Sequence, residues 1–323
     1  MYRMLLHKLL QAVVTLFIAT LIIFLLIRLA PGDPVKVLLS RTGEIAMSDS
    51  QAYDRKLAEL RAQHGLDQNM AAQYAAWAQN LLRLDLGASI HTGRQVQSEI
   101  AARLPATFML AAAALLAQIA LGLLFGIVSA LRAGKAWDNA VRLACVALAS
   151  TPAFVLGLVL LSMFAVTLGI YEISSEATLA RLWLPALTLG LIGAPQLIRV
   201  VRANLLSELG QTYVSAALAR GLNRKLVVRH AFRNALVPVS TMVGLSFAGL
   251  VSGAVVIESI FSWPGVGKYA LDSILLKDYP AIQGYALVMV ALVIFINLFV
   301  DALYAMIDPR LRRKEAAGGG SYA

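Results

Sequence analysis

Few side chains in this sequence are spaced for chemistry. The four histidines, His7, His64, His91 and His230, are scattered, unlike the clustered ligands that hold a metal ion. Gly265-Val-Gly-Lys268 runs into Tyr269 and lacks both the glycine spacing and the Ser/Thr of a phosphate-cradling loop. No His-Glu-x-x-His occurs, and the single cysteine, Cys145, excludes an internal disulfide and a thiolate cluster. A lone thiol in an apolar run most often packs. The chain is therefore expected to be no enzyme, with no catalytic residue, metal site or cofactor of its own. Glu258 and Asp301 lie near or within long apolar runs, where a buried charge is costly and marks a functional candidate. Either acid can line a pathway and attract a cationic or amine-bearing solute, serve in a structural pair, or sit exposed to water. Arg28, at the end of the first apolar run, can snorkel to an interface.

The strongest physical signal is a basic insert of 33 residues from Leu205 to Val237, LLSELGQTYVSAALARGLNRKLVVRHAFRNALV, with polar residues interspersed and Pro238 following. Ala216 and Ala217 offer little bulk, so a helix there can lie deep in a groove of another protein. Gly221 ends that helix where a left-handed residue costs little. Asn223 then caps a short helix through Leu226, Val227 and Phe232. Such a helix–turn–helix suits docking to a soluble partner; it equally suits an interfacial loop resting on anionic lipid.

The elements that position this insert are membrane spans. Of 323 residues, 59% are hydrophobic and 14% charged, with a mean hydropathy of +0.73. Soluble domains carry about 25% charged residues, so the bilayer is the solvent here. Apolar runs predict six spans near 9–30, 106–131, 141–170, 184–204, 236–260 and 284–307. The third exceeds the length of one crossing, which predicts tilt or overhang. The first is too long for a cleaved signal and lacks an A-x-A-like site after Arg28-Leu29-Ala30-Pro31, so it is expected to stay as an anchor.

Net charge is +10, and its distribution is topological. Segments 1–8, 132–142, 199–233 and 308–323 hold sixteen Lys and Arg, whereas the short opposite loops 171–183 and 261–283 hold only Arg181, Lys268 and Lys277. The positive-inside rule then puts both termini in the cytoplasm. Nucleic-acid binding is not expected, because the excess charge is accounted for by membrane orientation.

Residues 31–105 form a long extracytoplasmic region. A capping box at Ser48–Gln51 precedes Tyr53, Leu57 and Leu60 at helical spacing, with a stop at Gly65. A second helix pattern runs through Tyr74, Trp77 and Leu81. The pair either presents a surface to an external partner or forms a lid. Gly122/Gly126 and Gly249/Gly253 are small-residue faces for close helix packing. Pro152, Pro185, Pro195 and Pro238 predict kinks or helix starts. Trp183, Trp263, Tyr279 and Tyr285 fall at predicted boundaries, as an aromatic belt would. The tail, 311–323, is expected to be a disordered cytoplasmic segment.

Several motifs together point to one family. The insert, with Tyr213, Ala216, Ala217, Gly221, Leu222, Arg229, His230 and Asn234, resembles the ATPase-coupling loop of bacterial ABC-importer permeases. The dipeptide, oligopeptide and nickel group is the nearest likeness. Arg28-Leu-Ala-Pro-Gly-Asp-Pro34, Gly65-Leu-Asp-Gln68, Asp85-Leu-Gly87 and Arg103-Leu-Pro-Ala-Thr107 resemble its N-terminal half. Glu258-Ser-Ile-Phe-Ser-Trp-Pro-Gly-Val-Gly267, Asp278-Tyr-Pro280, Gln283-Gly284 and Asp308-Pro-Arg310 resemble its C-terminal half. The wider family's Glu-Ala-Ala opening has Ser215 in place of the acid, which puts a contact made by that Glu in doubt.

The resemblance implies an all-α polytopic membrane protein of the type I ABC importer permease fold, with six transmembrane helices. It implies a multi-pass location in the bacterial cytoplasmic (inner) membrane. Residues 1–98 would form an N-terminal span with an extracytoplasmic helical segment, and 99–310 the permease core with the coupling loop 205–237. It further implies a second homologous permease subunit, two ATP-binding subunits that carry ATP and Mg, and an extracytoplasmic solute-binding protein. Peptides are the first expectation for the cargo, with nickel or a metal–chelator complex as the alternative. An ion-coupled secondary transporter, which needs intramembrane acids beside broken helices, has only Glu258 and Asp301 to draw on.

Overall fold

A computed structural model describes residues 2–29, 35–36, 38–39, 50–63 and 65–307, with no side chain described before Lys8, at positions 50, 52 and 237, or beyond Val300. The expected capping box at Ser48, the exit residues 30–34, Asp308–Arg310 and the tail 311–323 lie outside the described residues. Apart from an isolated bridge between Ala88 and Gln95, every regular element described is helical. In order these are α1 (Tyr2–Leu29), α2 (Ser50–Gln63), α3 (Met70–Leu82), α4 (Val96–Leu131), α5 (Ala136–Ser150) and α6 (Ala153–Leu161). A π-helical turn, Ser162–Thr167, extends α6. Then follow α7 (Leu179–Leu209), α8 (Thr212–Ala219), α9 (Arg224–Ile260), α10 (Val266–Leu276) and α11 (Tyr279–Ile307).

Five helices, α1, α4, α7, α9 and α11, are long and apolar enough to cross a bilayer, and six spans result when α5 and α6 count as one. That third span is bent by 102°, where a tilted or overhanging single helix was expected. The cause is local. Pro152 biases its predecessor away from helix, and Thr151 sits extended at φ −87°, ψ 123°. Pro152 is itself extended and opens α6. Pro185, Pro195 and Pro238, by contrast, lie inside uninterrupted helices.

The described residues form two compact units, one built on those within 1–104 and 268–299, the other on those within 105–267 and 300–307. Compactness thus joins residues 268–299 to the N-terminal part, across the expected division at residue 98. In the first unit, Tyr53, Leu57 and Leu60 of α2 pack with Val35, Leu39 and Leu66. Gly65, at φ +62°, closes the end of α2, with Leu66 N–H donating to Arg61 O. Asn69 caps α3 through Ala72 N–H. Tyr74 and Trp77 of α3 contact Phe24 of α1 at 5.3 and 6.1 Å between ring centres, and the Tyr74 hydroxyl lies 3.0 Å from that of Thr20. This face of α3 covers α1. The expected outer loop 261–283 contains the helix α10. Asp278 beyond it bonds Ser89 Oγ at 2.5 Å and Ile90 N–H at 3.2 Å.

In the second unit α4 and α7 approach through glycine. A Cβ at Gly122 would enter Leu197, and one at Gly126 would lie 2.7 Å from Val201. At Gly249 and Gly253, the other small-residue pair, a Cβ would meet no neighbouring element within 4 Å among the described residues. Cys145 packs with Val141, Ala194 and Ile198. Trp263, expected in an aromatic belt, is fully buried; its indole N–H donates to Ala106 O at 2.9 Å, so burial of a large ring with a satisfied polar tip overrides the boundary position.

Candidate functional site

The insert folds as an exposed elbow between two long helices. α7 ends at Leu209, and Gly210 and Gln211 lead into α8. At the far end of α8, Gly221 adopts φ +81°, its N–H donates to Leu218 O, and Leu222 N–H donates to Ala217 O. This pair of bonds closes a helix through a left-handed residue. Asn223 Oδ1 accepts from Lys225 N–H and caps the next helix. That helix is not the short one expected. α9 continues for 37 residues through Pro238, so the return limb of the elbow and the fifth span are one continuous helix.

Three side chains tie the elbow together. Tyr213 on α8 donates to Glu208 Oε2 on α7 at 2.8 Å. Asn234 on α9 donates to Glu208 Oε2 at 3.4 Å and to the Tyr213 hydroxyl at 3.3 Å. Burial raises the Tyr213 hydroxyl's pKa, and the bond to the Glu208 carboxylate adds to the rise. Beneath them Leu205, Ala231 and Ala235 are buried with Ala130, flanked by Leu209 and Phe232. Tyr213 and Asn234 were singled out from sequence. Glu208 was not, because an acid in a polar insert has no periodic signature.

The outer face is bare and mixed in character. Ser215, Ala216, Gly221, Arg229 and His230 are exposed and Ala217 is half-buried. Tyr213, Leu218 and Leu222 are 40–44% exposed, and Arg220, Arg224, Lys225 and Arg233 stand around them. Apolar tips ringed by cations suit a partner groove with acidic margins.

Two further polar centres lie in this unit. Glu258 is fully buried. Its Oε1 accepts a 2.6 Å bond from Thr107 Oγ1, and Gly265 packs so closely that a Cβ there would enter the carboxylate. Glu258 thus sits at the end of α9 in a buried contact with Thr107 and Gly265. The side chain of Asp301 lies outside the described residues. Asp138, unremarked in the sequence, is fully buried on α5. It accepts from Arg202 Nε and Nη2, both at 2.8 Å, from Ser129 Oγ at 2.5 Å and from Gly134 N–H at 2.9 Å. Its only sequence signal is an acid just after the basic loop Arg132–Lys135, which reads equally well as a solvated charge.

Comparison with known proteins agrees with this geometry. The family model of binding-protein-dependent transport system inner membrane components matches residues 122–313, and the model of its N-terminal region matches residues 1–111. The glutathione transport system permease protein GsiC of Pectobacterium atrosepticum is 37% identical over 308 residues, 95% of this chain and 98% of its own length. The di/tripeptide transport system permease protein DppB of Pseudomonas aeruginosa is 37% identical over 329 residues, 93% of this chain and 96% of its own. GsiC of Escherichia coli K12 is 35% identical over 315 residues.

Proposed function

The chain belongs to the binding-protein-dependent transport system inner membrane components as a permease subunit, not an enzyme, and from that premise we propose that it passes di- or oligopeptides, glutathione-like peptides included, through the bacterial inner membrane. The cargo reading rests on the similarity to GsiC and DppB, whose names specify glutathione and di/tripeptides. Nickel and metal–chelator cargo find no counterpart in those names.

The proposed assembly pairs this chain with a second, related permease. Two ATP-binding subunits carry ATP and Mg, and a solute-binding protein delivers cargo from outside. Both termini face the cytoplasm. Residues 99–310 act as the permease core, with 205–237 as the coupling loop, and residues 1–98 supply the first span and its extracytoplasmic helices.

One observation carries the mechanism: α8 is an exposed eight-residue helix bonded through Tyr213, Glu208 and Asn234 to both long helices beside it. Closure of the ATPase pair would push α8, and a push on a braced elbow moves α7 and α9 together, rocking the spans between outward-facing and inward-facing packings. Ala216, Ala217, Gly221 and Leu222 form the contact face; Arg229 and His230 flank it. A crosslink from a cysteine at Ala216 to the ATPase subunit in the assembled transporter tests this, and its absence under nucleotide turnover would refute the docking face. Retention of labelled peptides against nickel by the cognate binding protein tests the cargo.

A further inference from the structure

The four-bonded carboxylate of Asp138 joins pieces of chain that the elbow alone does not reach. Ser129 is near the end of α4, Gly134 is in the loop after it, Asp138 is in the first turn of α5, and Arg202 is on α7. Arg202 lies about two helical turns before Leu209, where α7 hands over to α8. Asp138 and Ser129 are fully buried, and the Arg202 side chain is 25% exposed. The guanidinium meets both carboxylate oxygens, a fork-to-fork geometry that resists both rotation and sliding.

We propose that Asp138 and Arg202 are positioning residues for transport: a strut that makes α5, and through it the bent third span, follow α7 when α8 is displaced. This rests on the docking role given to α8. Without the strut, the two helices would be held mainly by apolar packing, such as Cys145 and Val141 against Ala194 and Ile198, which offers no bidentate registration. Movement of α8 would then be taken up as slip between α7 and α5. A buried ion pair is weak evidence for stability, since desolvation offsets much of its attraction, and fixing register is its best-attested use.

The test compares the complete transporter, reconstituted in vesicles with its binding protein and ATPase subunits, in native and Asp138→Asn/Arg202→Gln forms. Two amides retain partners for Ser129 and Gly134 while abolishing the charged fork. Three quantities are read: the crosslink from Ala216, solute-stimulated ATP hydrolysis, and uptake of a labelled dipeptide pool. Expected is an unchanged crosslink, hydrolysis within about twofold of native, and uptake per ATP lower by about three- to thirtyfold, the range for disturbed coupling networks. Arg202→Lys, which keeps the charge without the fork, should fall between. Uptake per ATP equal to native would overturn the strut and leave docking intact. A parallel fall of crosslink, hydrolysis and uptake would reduce the pair to a fold-holding role and also overturn it. A missing crosslink in the native form would overturn the docking role, and the strut with it.

Discussion

Thr107 spans two elements with one hydroxyl: it donates to Glu258 at 2.6 Å and accepts from the backbone N–H of Val266 at 2.9 Å. Both bonds are buried. Thr107→Val keeps the shape and removes both bonds, taking one donor from the buried Glu258 carboxyl and the acceptor from Val266 N–H. The expected loss is about 1.5–3 kcal/mol, the scale of a bond to a charged group, read as a lower thermal midpoint in detergent. A midpoint equal to native would show that Glu258 does not rely on Thr107.

The tip of the elbow separates strain from docking. Gly221 has open space where a side chain would go, so a substitution meets only the backbone penalty, about 1–2 kcal/mol for a left-handed L-residue. Aspartate tolerates that conformation better than most, yet it puts a carboxylate and bulk on the contact face. Gly221→Asp should insert normally and abolish ATP-driven uptake, whereas Gly221→Ala should retain part of it. Normal uptake by the aspartate variant would count heavily against the assignment.

The brace behind the tip is expected to act on coupling more than on folding. Tyr213→Phe removes bonds at an exposed site, at most about 1 kcal/mol, so folding and membrane insertion should stay near native. With α8 less firmly tied to α7 and α9, uptake per ATP should drop severalfold. Unchanged uptake per ATP would assign the Tyr213–Glu208–Asn234 cluster no part in transmission.

Two glycine pairs with the same spacing should respond in opposite ways. Gly126→Ala forces a methyl against Val201 and should cost about 1–3 kcal/mol, as overpacking does. Gly249→Ala meets no neighbouring element among the described residues and should leave the isolated subunit's midpoint unchanged or slightly raised. Equal losses at both would contradict the packing described for α4 and α7.

Outside the spans, burial, with Asp278 and Glu99 adding to it, pushes the Tyr269 hydroxyl from 10.0 to about 12. A raised folded-state value favours the neutral phenol. Its contribution is therefore complete below pH 10 and is lost as pH climbs through about 12. Thermal midpoints across that window should fall more steeply for the native chain than for Tyr269→Phe. Parallel curves would show that Tyr269 does not contribute.

How much of this was legible in the sequence follows from which interactions are local. Span count and helical class are written in run length and composition, because the bilayer demands about 20 apolar residues per crossing and internal satisfaction of every backbone group. The caps at Gly65, Gly221 and Asn223 were legible for the same reason: each rests on one residue's conformational preference or one short side-chain bond. The extended Thr151–Pro152 step was half-legible. Proline marked the place, but a bend of 102° also depends on what α5 and α6 pack against.

Tertiary structure decided what joins residues far apart in the chain. Glu258 reads in sequence as a pathway acid, a structural pair or a water-exposed charge alike, and its bond to Thr107, 151 positions away, appears only in the fold. Asp138 reads as a surface charge until Arg202, 64 positions on, buries it. Gly122 and Gly249 read alike, yet one packs against Leu197 and the other faces open space. A sequence pattern reports the surroundings a residue requires on average; the partner that meets that requirement is chosen by helix packing, and that choice is not local.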